Sequence, residues 1–248
     1  MGVNWNLQMA LWYNDALKYS NYPQKVLEVI RPIIKDCKTL LDIGAGVGAL
    51  SIPLAKTIKK ITVLDPSPSM LRVLREEAAK KKIKNINYVN STWEDSILDN
   101  HDVIIAANIP SSLVDSSSFI WQINNLSNKF VFLILGVDPN KDRFYFKELY
   151  PLVFKQQYYP KPDYLKNYIA LYQMGIYANI ELIEYDFDQR FVNIEEALEF
   201  WKAHLQLDTD KYDKIIKEFL ENKLITQENN LIAKIHRKSA IIWWQPQK

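Results

Sequence analysis

The run from Thr39 to Asp65, TLLDIGAGVGALSIPLAKTIKKITVLD, constrains the fold more than any other part of the chain. Leu40, Leu41 and Ile43 make an apolar run too short for a helix and stopped by glycine, which suits a parallel strand covered on both faces. Gly44, Gly46 and Gly48 follow, and Leu50, Leu54, Ala55 and Ile58 then recur at helical spacing, predicting a helix over 50–58. Ile61 to Leu64 form a second apolar run ending in Asp65, 21 residues after Gly44. Strand, glycine turn, helix, strand and carboxylate together make a nucleotide-binding βαβ unit. Bare backbone approaches the ligand at the turn, and the carboxylate accepts from ribose hydroxyls.

The same rhythm continues downstream. Pro66-Ser67-Pro68-Ser69 reads as a turn and helix start, and Met70, Leu71, Val73, Leu74 and Ala78 give a helical stripe. Strands are expected at 86–89, 102–107 and 130–137, with a helix near 117–126, so the sheet should be doubly wound and mostly parallel. Ahead of the first strand, Leu7, Leu11, Asn14, Leu17 and Lys18 share a helix face, and Val26, Leu27, Ile30, Ile33 and Ile34 follow Pro23 at helical spacing. Residues 138–178 carry eleven Phe and Tyr rings, among them Phe144, Tyr145, Tyr158 and Tyr172, where doubly wound enzymes place substrate-facing inserts. These rings read either as a lid over the ligand or as the insert's own core. A sixth strand is expected at 180–187, helices at 194–206 and 210–222, and then a hairpin from 231–236 and 239–244 around Arg237-Lys238, or one strand with a bend.

The chain's 248 residues suffice for one large α/β domain. We read a single unit: a helical cap over 1–37, a ligand-binding half over 38–137, the aromatic insert over 138–178, and strands and helices over 179–248 that complete the sheet. A net charge of +2 argues against nucleic acid as partner, and Lys80, Lys81, Lys82 and Lys84 read as the solvated end of a helix. The single cysteine, Cys37, excludes an internal disulfide and fits a reducing compartment. The first residues lack a basic, then apolar, leader, and Asn6 stands where a myristoylation signal needs Ser or Thr. No window approaches a membrane span, so a cytoplasmic protein is expected, while oligomeric state is open. His101, His204 and His236 are scattered, and no zinc-ligand cluster is proposed.

Two nucleotides fit the turn. Gly44-x-Gly46-x-x-Ala49 satisfies the loose dinucleotide pattern of nicotinamide and flavin enzymes. Asp42 followed by Gly44-x-Gly46-x-Gly48 instead gives DIGAGVG, which resembles the first motif of class I S-adenosylmethionine-dependent methyltransferases. Asp65-Pro66-Ser67-Pro68-Ser69-Met70, Ser91-Thr92-Trp93-Glu94-Asp95 and DVIIAANI at 102–109 resemble that family's later motifs, in the right order. The resemblance implies a Rossmann-like sheet of seven strands with helical cap elements and S-adenosylmethionine as cofactor. The methionyl part would lie along Gly44, Ala45 and Gly46, with Asp42 holding the ammonium directly or through water, and Asp65 would accept from both ribose hydroxyls. The resemblance puts the adenine between the Asp65–Pro66–Ser67 turn and Thr92–Trp93, with Trp93 stacking on it or covering the pocket. Asn108 would serve the methionyl end.

Asn108-Ile109-Pro110-Ser111 also resembles the motif of amino-group methyltransferases acting on nucleic acid bases, except that Ser111 replaces the aromatic that stacks on an extruded base. The implied activity is therefore methyl transfer to a small molecule. Methylation of a protein or tRNA, a nicotinamide-dependent oxidoreductase and a cofactor-binding protein without turnover are the alternatives. Catalytic residues stay unassigned, because in-line transfer to a ready nucleophile needs no base; His204 and Tyr145 are the first to test if one is used.

Overall fold

A computed structural model describes residues 5–137, 144–159 and 164–246. Two helices open the chain: α1 (Leu7–Tyr19), N-capped by Asn6, and α2 (Tyr22–Ile33), with Pro23 in its first turn. β1 (Thr39–Ile43), α3 (Ser51–Leu54), β2 (Lys60–Leu64), α4 (Pro68–Lys80) and β3 (Ile86–Val89) follow. Then come β4 (His101–Ala107), α5 (Ser111–Val114), α6 (Ser117–Leu126), β5 (Ser127–Gly136), α7 (Phe146–Phe154) and α8 (Tyr164–Gln173). The last part holds β6 (Asn179–Asp186), β7 (Gln189–Phe191), α9 (Ile194–Leu205), α10 (Asp213–Lys223), β8 (Ile225–Gln227), β9 (Asn230–Ala233) and β10 (His236–Trp244).

The main sheet has seven strands in the order β3-β2-β1-β4-β5-β10-β6. β10 runs antiparallel to both its neighbours, so β6 points the same way as β1 to β5. Period-two alternation sends Leu40, Val103, Ile105, Phe132 and Ile241 to one face, against α2, α3 and α4. Leu41, Ile104, Val131, Leu133, Ala240 and Ile242 go to the other, against α5, α6 and α8. The order reverses beside β1, so a crevice opens at the carboxyl ends of β1 and β4.

Two expectations need correction, and one reading left open can be judged. The hairpin expected from 231–236 and 239–244 is not formed. β9 joins β7 and β8 in a separate three-stranded sheet, whereas β10 fills the slot between β5 and β6. Ala240, Ile241 and Ile242 are wholly buried, which an interior strand allows and a surface hairpin does not. The true hairpin is one element earlier, where Glu228 and Asn229 take positive φ of 48° and 64° between β8 and β9. The helix expected over 50–58 is regular only across Ser51–Leu54, beyond which Thr57 N–H turns to the Leu54 carbonyl three residues back, although Leu54 and Ile58 are buried as expected. Of the insert's two readings, a core of its own is formed only in part: Tyr150 packs against Phe154 and Tyr158, and Tyr158 against Phe146. Phe144, Leu149 and Val153 instead pack with Phe191, Phe200, Trp201, Ile216 and Leu220 from the segment between β6 and β10, and with Met9 and Trp12 of α1. The other insert helix, α8, packs through Leu171 on the far face of the main sheet.

The module spanning 187–235 leaves the sheet after β6 and re-enters at β10, so it stands at the carboxyl edge. Phe187 N–H donates to the Ile235 carbonyl at 2.8 Å, closing its neck. Among the described residues, no helix is long and apolar enough to cross a membrane.

Candidate functional site

The crevice begins at the turn after β1. Gly44 and Ala45 N–H groups donate to the Leu64 carbonyl at 2.8 and 3.2 Å, tying the turn to the end of β2. Gly44 has φ of +68°, and a Cβ there would lie 2.5 Å from Ile109 Cγ2, so the loop after β4 closes directly on the turn. Gly46 has φ of +54° and its N–H donates to Asp65 Oδ2 at 2.8 Å.

Two buried carboxylates flank this turn. Asp42 is 3% exposed and accepts from the Ser51 hydroxyl. Burial pushes its carboxyl up from 3.8 to about 7; the Ser51 bond opposes the rise, and Asp65's negative charge adds to it. Asp65 is 7% exposed, with Oδ1 accepting from Ser67 N–H at 2.8 Å. Burial raises its carboxyl too, against the Ser67 and Gly46 bonds that favour the charged form. Among the described residues, no Lys or Arg forms an ion pair with either carboxylate. Two buried carboxyl groups beside bare backbone make a receptor for a cation that also offers hydroxyl donors, because a bound cation favours the ionised form of both.

The rim adds contacts that the sequence reading missed. Ser67 caps α4 by accepting from Met70 N–H at 3.2 Å and donates its hydroxyl to the Trp5 carbonyl at 2.8 Å, so the N-terminal segment is pinned to the β2 turn. Asn90 donates to the carbonyls of Asp65 and Pro66 at 3.0 and 3.1 Å, binding the β3 loop to the same turn. Asn108 sits at φ +55°, donates its N–H to the Ile134 carbonyl, and gives its side-chain amide to the Tyr22 hydroxyl at 3.0 Å. Tyr22 is 2% exposed and lies 4.7 Å from the Tyr185 ring; burial drives its hydroxyl well above the usual phenol range. Only the buried aromatic at a helix start hinted at Tyr22 in the sequence.

Asp42, Gly44, Ala45, Gly46, Asp65, Pro66, Ser67 and Asn108 are thus gathered in one crevice. Thr92 and Trp93 are less closely joined to it. Thr92 is exposed and bonded to Asp95 at 2.8 Å. Trp93 packs edge-on against Phe119 at 5.2 Å and donates to Gln122. Its ring therefore lies against α6, which suits a cover more than a stacking platform. His204 and Tyr145 are not in the crevice. Each hydrogen-bonds a backbone carbonyl, of Phe200 and Lys234 respectively, within the module's aromatic core. Among the described residues, no group of His, Cys, Asp and Glu is placed to hold a metal. A cavity of about 590 Å³ lined by Trp121, Phe130, Tyr177 and Trp243 lies elsewhere, at the amino edge of β5.

Comparison with known proteins points the same way. Residues 34–164, more than half of the chain, match the family model described as a methyltransferase domain. A protein of Haemophilus influenzae described only as uncharacterized is 26% identical over 97% of this chain and 91% of its own length. A ubiquinone biosynthesis O-methyltransferase of Methylobacterium nodulans is 34% identical, over 36% of each chain. A ribosomal RNA small subunit methyltransferase G of Helicobacter acinonychis is 28% identical over 64% of this chain and 90% of its own. Among solved structures, magnesium protoporphyrin IX methyltransferase from Synechocystis with bound S-adenosylhomocysteine shares the fold, with a TM-score of 0.52 and 13% identity over 98% of this chain and 89% of its own.

Proposed function

This chain belongs to the class I S-adenosylmethionine-dependent methyltransferases, and from that premise we propose that it methylates a small molecule, with the Asp42–Asp65 crevice holding the methyl donor. The observation that carries the donor site is the pair of buried carboxyl groups facing a glycine turn, neither of them ion-paired to a Lys or Arg among the described residues. Asp65 accepts from the ribose hydroxyls on the lone pairs that Gly46 and Ser67 leave free. Asp42 balances the ammonium, and Gly44, Ala45 and Gly46 let the methionyl part lie on backbone. Pro66 and Ser67 form one wall of the adenine slot, Thr92 and Trp93 its cover. Asn108, held by Tyr22, borders the reacting end.

The donor's sulfonium supplies an excellent leaving group, so the chain's task is alignment and exclusion of water. The cap is built for that: Trp5 bonds Ser67, Trp12 Nε1 donates to Glu196 at 2.9 Å, and the Ser20 hydroxyl donates to the Asp186 carbonyl. These ties draw α1, the module and the β2 turn into one cover. A net charge of +2 and Ser111 in place of a stacking aromatic favour a small acceptor over RNA. The rRNA-directed relative keeps a second reading in view: a methyltransferase acting on RNA or protein. The free, buried Cys37 agrees with a cytoplasmic setting.

Incubating the protein with trideuteromethyl-labelled donor and a cell extract, split into small-molecule, RNA and protein fractions, separates the two readings. Label in the small-molecule fraction supports the proposal, and label in RNA or protein replaces it.

A further inference from the structure

Arg237 is a half-buried cation with two buried donors that no group uses. Its Nε and Nη2 atoms are buried without a hydrogen-bond partner, and the side chain forms no ion pair among the described residues. The guanidinium lies between two rings, 4.9 Å from the centre of Phe187 and 5.2 Å from that of Phe144. Rings satisfy the faces of a guanidinium and leave its in-plane N–H groups unserved. Nε and Nη2 form the side-on pair of the fork, whose two parallel N–H groups match the two oxygens of a carboxylate or phosphate. Buried donors left unpaired are rare and call for a ligand or a cost.

The position is suited to an acceptor. Arg237 opens β10 at the carboxyl edge, in register with Tyr185, whose ring packs on Tyr22, the partner of Asn108. β10 stands two strands from β4, or about 10 Å, the span of a small molecule lying between Asn108 and Arg237. Phe144 and Tyr145 beside it both hold left-handed φ, 66° and 58°, a strained pair of aromatics. Arg190 differs in degree: its Nε is also buried without a partner, but its Nη2 is not, and its guanidinium rests 3.7 Å over the exposed ring of Tyr19.

We propose that Arg237 anchors an oxyanion, carboxylate or phosphate, of the methyl acceptor, so that the substrate is a small acidic molecule held with its nucleophile toward the donor. The proposal rests on the methyl-transfer reading for the word acceptor, but the anion site is testable without it. Phe144 and Phe187 close over the guanidinium, so admission involves a shift of the cap.

Benzoate and phenyl phosphate serve as probes, with benzyl alcohol as neutral counterpart, titrated by calorimetry and ligand-observed NMR with and without S-adenosylhomocysteine. Both anions are expected to bind the wild type more tightly than benzyl alcohol, and to weaken about tenfold or more in Arg237→Met and Arg237→Gln. Arg237→Lys, which keeps charge but loses the fork, should fall between, and Arg190→Met should bind as wild type. A stronger response to benzoate or to phenyl phosphate identifies which oxyanion the site fits. Unchanged anion binding in Arg237→Met and Arg237→Gln overturns the proposal. So does an equal loss of benzyl alcohol binding, or a tenfold loss of S-adenosylhomocysteine binding, which would make Arg237 a structural or cofactor residue. Should the wild type fail to bind S-adenosylhomocysteine, the donor assignment falls by itself, and the anion titrations still judge Arg237.

Discussion

At the scale of single residues, Asp42 gives the sharpest expectations. Because its carboxyl rises from 3.8 to about 7 on folding, the free protein has this group's full contribution to stability below pH 4 and loses it as pH climbs toward 7. Asp42→Asn should therefore flatten the fall in stability between pH 4 and 7, as read from urea midpoints against the wild type. A bound ammonium favours the charged carboxylate, so donor binding should release a proton near neutrality and tighten from pH 6 to 8. Calorimetry in buffers of different ionisation enthalpy measures that release; its absence would remove Asp42 from the ammonium. Gly44→Ala would put a methyl 2.5 Å from Ile109 Cγ2 at φ +68°, and should cost about 2–4 kcal/mol in stability. Legibility at this scale was uneven. Asp42, Asp65 and the glycines stood out because motif spacing is local. Tyr22, Asn90 and Arg237 did not, since each takes its meaning from a partner 24 to 93 positions away.

At the scale of elements, the strands of the first half were legible because buried parallel strands announce themselves as apolar runs between glycine turns. Of the later strands, β6 was legible but the pairing of β9 and β10 was not, because these two are adjacent in sequence and belong to different sheets. Nothing in the local pattern says that the chain leaves one sheet at Ala233 and enters another at His236. The aromatic insert stayed open between two readings for a similar reason: Phe144, Tyr145 and Phe154 find ring partners in Phe200, Trp201, Phe219 and Tyr212, far along the chain. Trp201 binds that core together, fully buried, with Nε1 donating to the Phe144 carbonyl at 2.8 Å. Trp201→Ala should cost about 3–5 kcal/mol in urea unfolding. A loss under 1 kcal/mol would mean that the module's rings are not a cooperative core.

Across the whole molecule, the topology assigns the two ends of the sheet different work. The carboxyl edge gathers the glycine turn, both buried carboxylates, Asn108 and the α1–module cover, as a switch point in a doubly wound sheet dictates. The cover is joined to the donor turn through Trp5 and Ser67 and to the module through Trp12 and Glu196, so filling the crevice should steady both. Hydrogen exchange is expected to slow in α1 and in 187–235 on adding S-adenosylhomocysteine, and protection confined to the β1 turn would detach the cover from the site. The central claim is that Asp65 and the turn before it hold the methyl donor, and calorimetric titration of S-adenosylhomocysteine into wild type and Asp65→Ala tests it most directly. The account predicts saturable one-to-one binding that weakens at least about tenfold in the variant. Equal affinity in the two proteins would contradict it.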